Sequence, residues 1–175
     1  MTVELIRFAR TDKELFPEYL QANQIAASLH EHLCSPVVLE MIMAANAPRA
    51  SSALIQAVFL AHAQQAGFRN EAKGLFKNYA SSALRPDYYM AIGESGILME
   101  VERGKTTINN MDLLDFWKCH LCEHANFLFL MVPRELRQND SMAPRREFNT
   151  VAKRMATFFV PHNYTNVWGL WLFGY

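Results

Sequence analysis

Two acidic residues alternate within an otherwise apolar run, Ile-Leu-Met-Glu-Val-Glu-Arg, at positions 97–103. Alternate residues of a β-strand share one face, so Glu100 and Glu102 would point to the same side as Leu98. The opposite face would carry Ile97, Met99 and Val101. Two neighbouring carboxylates repel each other and lose hydration, so a metal ion, a basic side chain or water must compensate them.

A third carboxylate, Asp87, lies thirteen positions before Glu100, in a predicted strand that a Gly-Glu-Ser-Gly turn folds back on the first. A hairpin of this length predicts that Asp87, Glu100 and Glu102 converge. Such an oxygen site suits Mg²⁺, Mn²⁺ or Ca²⁺. The alternative is that the glutamates face water at an edge and pair with Arg103 or Lys105.

Lys118 lies in the helix predicted after these strands, on the same stripe as Met111, Leu114 and Leu121. An ammonium group on a core-facing stripe needs a partner because its desolvation is costly. The carboxylates of the neighbouring strand are the natural partners. The alternative is a lysine that extends past the core to solvent.

The apolar periodicity and the Gly and Pro positions predict the order α-β-β-β-α-β-α in one domain over 1–175. We expect a helical extension over 1–48, a core over 50–133, and a C-terminal helix with an aromatic tail over 134–175. The core would comprise a helix ending at Gly67, strands over 68–76, 85–92 and 97–103, a helix over 107–125 and a buried strand over 127–132.

The segments PDYYMAI and GILMEVERGKT, followed by a helical Lys118 and the strand FLFLMV, resemble the PD-(D/E)XK nuclease superfamily. The resemblance covers about residues 50–133. It implies an α/β restriction-endonuclease-like fold with an αβββαβ core, in which helices flank a mixed sheet. The EVERGKT segment with its downstream lysine is also similar to nuclease-like proteins of plasmids and other mobile elements.

Within this resemblance, Asp87 matches the Asp of the PD motif and Glu100 matches the (D/E) position. The resemblance implies that both carboxylates and the carbonyl of Val101 hold Mg²⁺ or Mn²⁺ beside a scissile phosphate. It implies a metal-dependent endo- or exodeoxyribonuclease, a hydrolase of DNA phosphodiester bonds, in which Glu102 binds a second metal or acts as the base.

Glu102 stands where the family usually has a lysine. Lys118 is the first candidate for a catalytic lysine that has migrated to the helix, and Lys105 is the second. Glu71 is a candidate for the acidic residue that some members supply near the first core helix. The departure at Glu102 leaves an alternative open, a non-catalytic module of this fold that binds DNA or a protein partner.

Basic residues are frequent after the last predicted core strand, where they favour contact with a phosphate backbone, although a solvated helix face is the alternative. The candidate DNA-binding residues are Arg103, Arg134, Arg137, Arg145 and Arg146. The aromatic tail carries Trp168, Trp171, Phe173 and Tyr175. Aromatic residues at this density complete a core or form a homodimer interface. Stacking of these rings on unpaired bases is a further alternative.

The chain has 17 basic and 17 acidic residues, which excludes a polycationic surface but permits a local basic patch. Its longest apolar runs are far shorter than the roughly 20 residues that span a bilayer, so we expect no membrane partner. Three cysteines are too few for a disulfide scaffold, and we expect a cytoplasmic protein. Cys119 and Cys122 could bind zinc, but their place inside a predicted helix favours buried thiols.

Overall fold

The described part of the chain folds into a six-stranded mixed sheet with helices on both faces. The computed structural model describes residues 2–47, 50–70, 74–80, 84–104, 106–136 and 143–175. The strands are β1 (Glu4–Ala9), β2 (Arg69–Asn70), β3 (Tyr88–Ile92), β4 (Ser95–Val101), β5 (Phe127–Val132) and β6 (Gly169–Gly174). The helices are α1 (Pro17–Leu33), α2 (Pro36–Ala45), α3 (Ser52–Ala66), α4 (Met111–Leu121) and α5 (Glu147–Ala156), with a 3₁₀ turn at Thr157–Phe159.

The alternation of side chains along the central strands divides the interior into two cores. Ile97 and Met99 of β4 face the core formed with α1, α2 and α3, and Leu98 faces the core formed with α4 and α5. Strand β5 is buried on both faces. The predicted two-sided burial of β5 and the predicted strand phase of β4 are therefore confirmed, and Glu100 lies on the α4 side.

The strand directions bring the candidate residues to one edge of the sheet. In the order β1-β6-β5-β4-β3-β2, strands β4, β5 and β6 are parallel, whereas β3 is antiparallel to β4. The carboxyl end of β4, where Glu100 lies, therefore meets the beginning of β3, which Asp87 immediately precedes. This edge also receives the end of β6 and the first residues of β1.

The predicted helical extension contains a strand. Residues Glu4–Ala9 form β1, which pairs antiparallel with β6 at the border of the sheet. The rest of the extension is helical: α1 begins at Pro17 and α2 at Pro36, and their buried residues belong to the first core. Strand β1 shows no clear alternation of polar and apolar residues, because Leu5 and Ala9 pack against the first core and Ile6 and Phe8 pack against the second.

The aromatic tail forms β6, which lies between β1 and β5. Trp171, Phe173 and Tyr175 are almost fully buried within the chain. The tail thus completes the core, and this strand offers no exposed aromatic surface for the predicted homodimer. The strand expected over 68–76 is shorter, because only Arg69–Asn70 pair with β3 among the residues that the structure describes there.

No helix in the described part of the chain combines the length and the apolar character that crossing a membrane requires.

Candidate active site

Asp87 and Glu100 are joined by two hydrogen bonds across the start of the hairpin. The backbone N–H of Asp87 donates to Glu100 Oε2 at 3.1 Å, and the N–H of Val101 donates to Asp87 Oδ2 at 2.9 Å. On the other side, the amide of Gln56 in α3 donates to Asp87 Oδ1 at 3.3 Å. The predicted proximity of Asp87 and Glu100 is therefore confirmed, and their carboxylates are fixed by donors from three chain segments.

Lys118 of α4 reaches into the same place. Its Nζ lies 2.6 Å from Glu100 Oε1 and 2.7 Å from Asp115 Oδ1, and it donates to the carbonyl of Arg85 at 3.3 Å. Glu100 and Lys118 are 2% and 6% exposed, and Asp115 is fully buried. This is a buried ion-pair network in which one ammonium group is shared by two carboxylates.

The predicted pairing of Lys118 with a carboxylate of the neighbouring strand is confirmed, but the inward face of α4 differs from the predicted one. Leu114, which was expected on the inward stripe, is 37% exposed. The inward face of α4 carries Asp112, Asp115 and Cys119 instead. Lys118 follows Asp115 by three positions, and residues three apart lie on the same side of a helix, so both turn towards β4.

Glu102 follows β4 and lies at the border of this network. Its backbone N–H donates to the carbonyl of Met131 at 2.8 Å, and its carbonyl accepts a hydrogen bond from the hydroxyl of Tyr175 at 2.5 Å. The backbone of Glu102 is therefore held by β5 and the end of the tail, and the charge of Asp115 acts on its side-chain carboxyl.

Burial controls the protonation of these groups. It raises the pKa of Asp87, Asp115 and, most strongly, Glu100, to which the charge of Asp115 adds. Burial and the charge of Asp115 raise the pKa of Glu102 to about 8. Burial would lower the pKa of Lys118, but the carboxylates of Glu100 and Asp115 outweigh it and raise that pKa. The carboxylates of Glu100 and Asp115 share one ammonium group, and the charges of Asp87 and Glu102 add to theirs, so the site favours additional positive charge.

The donor chemistry fits a hard divalent cation, although not through the predicted three carboxylates. Among the described residues, no three Asp, Glu, His or Cys side chains surround a common point where a metal ion could lie. The expected convergence of Asp87, Glu100 and Glu102 as one ligand set is therefore not found among the described residues. Asp87 and Glu100 do fit, since a carboxylate oxygen that accepts one hydrogen bond has a second lone pair for a metal.

The predicted DNA-binding arginines have different surroundings. Arg103 donates to the carbonyls of Ala47 and Ala50, so it connects the end of β4 to the segment between α2 and α3. Arg145 pairs with the buried Glu147 at 2.9 Å.

Two other arginines, Arg134 and Arg146, line one cleft near the site. Arg134 pairs with Glu4 at 2.6 Å, and Arg146 is exposed. The backbone of Arg134 is bonded to Tyr175, which places the cleft at the sheet edge that carries Glu102.

Three predicted site residues, Glu71, Lys105 and Arg137, lie outside the described residues. The structure adds two that the sequence analysis missed, Gln56 and Asp115. The spacing of Asp115 to Lys118 is a signal that could have identified the pair. Gln56 carried no signal, because its contact with Asp87 joins residues 31 positions apart.

The zinc alternative gains no support from this part of the chain. Cys119 and Cys122 are buried at the end of α4, as the helical position predicted, and His124 is exposed. They belong to the second core, and the described residues contain no cluster of metal-binding side chains around them.

The similarity of this chain to known proteins lies in its structure. No family model and no curated protein matches the sequence. The fold is similar to that of restriction endonuclease BglII in its complex with a DNA 16-mer, with a TM-score of 0.55 at 12% identity over 99% of this chain and 78% of that one. Free BglII gives a TM-score of 0.46 at 8% identity over 99% and 79%. The similarity to the DNA-bound structure shows that the chain has the predicted restriction-endonuclease-like fold, with a mixed sheet flanked by helices.

Proposed function

We propose that this chain is a metal-dependent deoxyribonuclease of the PD-(D/E)XK type that hydrolyses phosphodiester bonds in DNA. The observation that carries the proposal is the juxtaposition of Asp87 and Glu100, joined through the N–H groups of Asp87 and Val101. These residues match the motif positions and lie at the sheet edge where β4 ends. The similarity of the fold to that of a restriction endonuclease supports the same proposal.

In this proposal the carboxylates of Asp87 and Glu100 and the carbonyl of Val101 hold Mg²⁺ or Mn²⁺. Such an ion, when bound, lowers the pKa of a coordinated water and neutralises charge on the phosphate. Gln56 orients the Asp87 carboxylate through its bond to Oδ1. Asp87 is thereby held in one orientation before the ligand arrives, which reduces the reorganisation that binding requires.

Glu102 is the proposed proton acceptor. Its pKa of about 8 leaves it partly ionised at neutral pH, which is the range in which a general base is most effective. Lys118 has another role than the expected contact with water or phosphate. Its ammonium group donates to Glu100 and to the Arg85 carbonyl, and it forms an ion pair with Asp115. Lys118 therefore acts as the counter-charge of Glu100.

The cleft lined by Arg134 and Arg146 is the proposed contact for the DNA backbone. It lies at the same sheet edge as Glu102, and arginine side chains match phosphate geometry well. The exposed guanidinium of Arg146 is available to a phosphate.

A second candidate is a non-catalytic module that binds DNA without cutting it. Glu102 in place of the usual lysine favours this function, together with the contacts that the Lys118 ammonium makes to Glu100, Asp115 and the Arg85 carbonyl.

Cleavage assays with purified protein discriminate between the two functions. Supercoiled plasmid, linear duplex and single-stranded DNA are incubated with Mg²⁺, Mn²⁺ or EDTA, and the Glu100→Gln variant is the control. Cleavage that needs the cation and disappears in the variant supports the nuclease. Binding of DNA without cleavage by the wild-type protein supports the module instead.

A further inference from the structure

Asp115 is a fully buried carboxylate outside the proposed metal ligands. Its Oδ1 lies 2.7 Å from Lys118 Nζ, and the same ammonium lies 2.6 Å from Glu100 Oε1. A buried carboxylate is costly unless a charge and hydrogen bonds compensate it. Here the compensation comes from the one lysine that also contacts a proposed metal ligand.

We propose that Asp115 is a positioning residue, which acts through Lys118 on the cation affinity of Glu100. Asp115 provides the ammonium with a second anionic partner, so Lys118 stays in the site when a cation binds the Glu100 carboxylate. This role towards a cation rests on the proposed function, whereas the positioning of Lys118 does not.

The physical argument concerns competition for one carboxylate. Without Asp115, the buried ammonium would depend on Glu100 for its charge compensation, and Lys118 would compete fully with a cation for Glu100 Oε1. With Asp115, a cation can displace Lys118 from Glu100 without leaving a buried charge uncompensated. The i,i+3 spacing on α4 keeps both groups on one side of the helix, so the exchange requires no movement of the backbone.

Titration of Mn²⁺ into the protein without DNA tests this role. Asp115→Asn should weaken Mn²⁺ binding about tenfold, at the low end of what loss of an outer-shell partner costs. Asp112→Asn is the matched control, because Asp112 is also fully buried on α4 but pairs with Arg154 at 2.9 Å. This control should leave Mn²⁺ affinity unchanged. An equal loss in both variants would overturn the proposal.

A double variant separates action through Lys118 from direct action on the cation. In a Lys118→Met background, Asp115→Asn should no longer change Mn²⁺ affinity, since the ammonium that it positions is absent. A tenfold loss that persists in this background would overturn the proposal, because Asp115 would then act on the cation itself.

Labelling of lysine by an amine-selective acetylating reagent, followed by mass spectrometry, tests the positioning without metal or DNA. Lys118 should react slowly in the wild-type protein and in Asp112→Asn, and several-fold faster in Asp115→Asn. Asp115→Glu keeps the charge and moves it by one methylene group. Should Asp115→Asn fail to fold, faster labelling in Asp115→Glu supports the proposal and unchanged labelling overturns it.

The two readouts distinguish the inference from the proposed function. A wild-type protein that neither binds Mn²⁺ nor cleaves DNA contradicts the proposed function, while the labelling still decides whether Asp115 positions Lys118. A protein that binds Mn²⁺ and cleaves DNA, but whose Lys118 labelling ignores Asp115→Asn, retains the function and contradicts the inference.

Discussion

The backbone N–H of Asp87 donates a hydrogen bond to the side chain of Glu100 at 3.1 Å, so these two residues are joined before any ligand is present. The bond connects the residue before β3 to the buried carboxylate of β4. It also occupies only one lone pair of Glu100 Oε2, which leaves the oxygen able to bind a cation. The two carboxylates are therefore held side by side by the fold itself.

Asp87→Asn and Glu100→Gln should each reduce Mg²⁺-dependent DNA cleavage by at least about a hundredfold, because a catalytic metal supplies several kcal/mol of stabilisation. In Asp87→Asn the amide oxygen of the new side chain can still accept from the N–H of Val101, so the fold should persist. Cleavage rates and thermal midpoints, measured on the same samples, check the prediction. A wild-type cleavage rate in either variant contradicts the assigned ligands.

Lys118→Met should destabilise the protein by about 3–5 kcal/mol, because it leaves Glu100 and Asp115 buried without their shared cation. Urea denaturation of the wild type and the variant at pH 7 measures the difference.

The destabilisation caused by Lys118→Met should be smaller at acidic pH. Without the ammonium, the folded-state pKa values of Glu100 and Asp115 rise further above their unfolded values. A carboxyl group with a raised pKa stabilises the fold below its unfolded pKa, and this stabilisation is lost as pH rises through the folded pKa. Equal destabilisation at pH 5 and pH 8 would contradict the buried ion-pair network.

The stability contribution of Glu102 should decline as pH rises from about 4.5 to about 8. Its pKa is raised from the ordinary value of 4.5 to about 8 by burial and by the charge of Asp115. The protonated form is therefore favoured in the fold, and its stabilisation is present below 4.5 and lost as pH passes 8. Glu102→Gln mimics the protonated form, so its thermal midpoint should vary less with pH between 5 and 9. Parallel midpoint curves for wild type and variant would refute this titration.

Arg146→Ala and Arg145→Ala form a matched pair on adjacent positions. Arg146→Ala should weaken binding to DNA of every sequence, because one phosphate contact is lost. The slope of the logarithm of the binding constant against the logarithm of the salt concentration should become about one unit shallower. Its thermal stability should be unchanged, since Arg146 is exposed.

Arg145→Ala should instead destabilise the protein by about 1–3 kcal/mol, because the buried Glu147 loses its cation. Fluorescence anisotropy with duplex DNA at several salt concentrations, together with thermal unfolding, separates the two effects. The reverse pattern, with loss of stability in Arg146→Ala alone, would contradict the assignment.

Local sequence determined the hairpin and its motif. A strand repeats every two residues, so the apolar residues around Glu100 fixed which face the carboxylate occupies. The Gly-containing turn fixed the pairing partner, and Asp87 therefore had to lie near Glu100. These relationships depend on neighbours within about 15 residues, which are the ones that a sequence pattern displays.

Only the tertiary structure decided which residues surround this pair. The inward face of α4 depends on how the helix is rotated against β4. The apolar periodicity placed Leu114 on this face, whereas the structure places the next residue, Asp115, there. The contact of Gln56 with Asp87 joins α3 to the hairpin across 31 positions, and no local pattern encodes it.

Long-range contacts also decide the burial of the aromatic tail and the surroundings of the arginines. The aromatic tail became a buried strand because β1 and β5 cover both of its edges, and these partners come from distant parts of the chain. Arg145 and Arg146 are adjacent and chemically identical, yet one pairs with a buried glutamate and the other is exposed. Residue type and spacing determine what a side chain can do, and only its long-range neighbours determine whether it is free to do it.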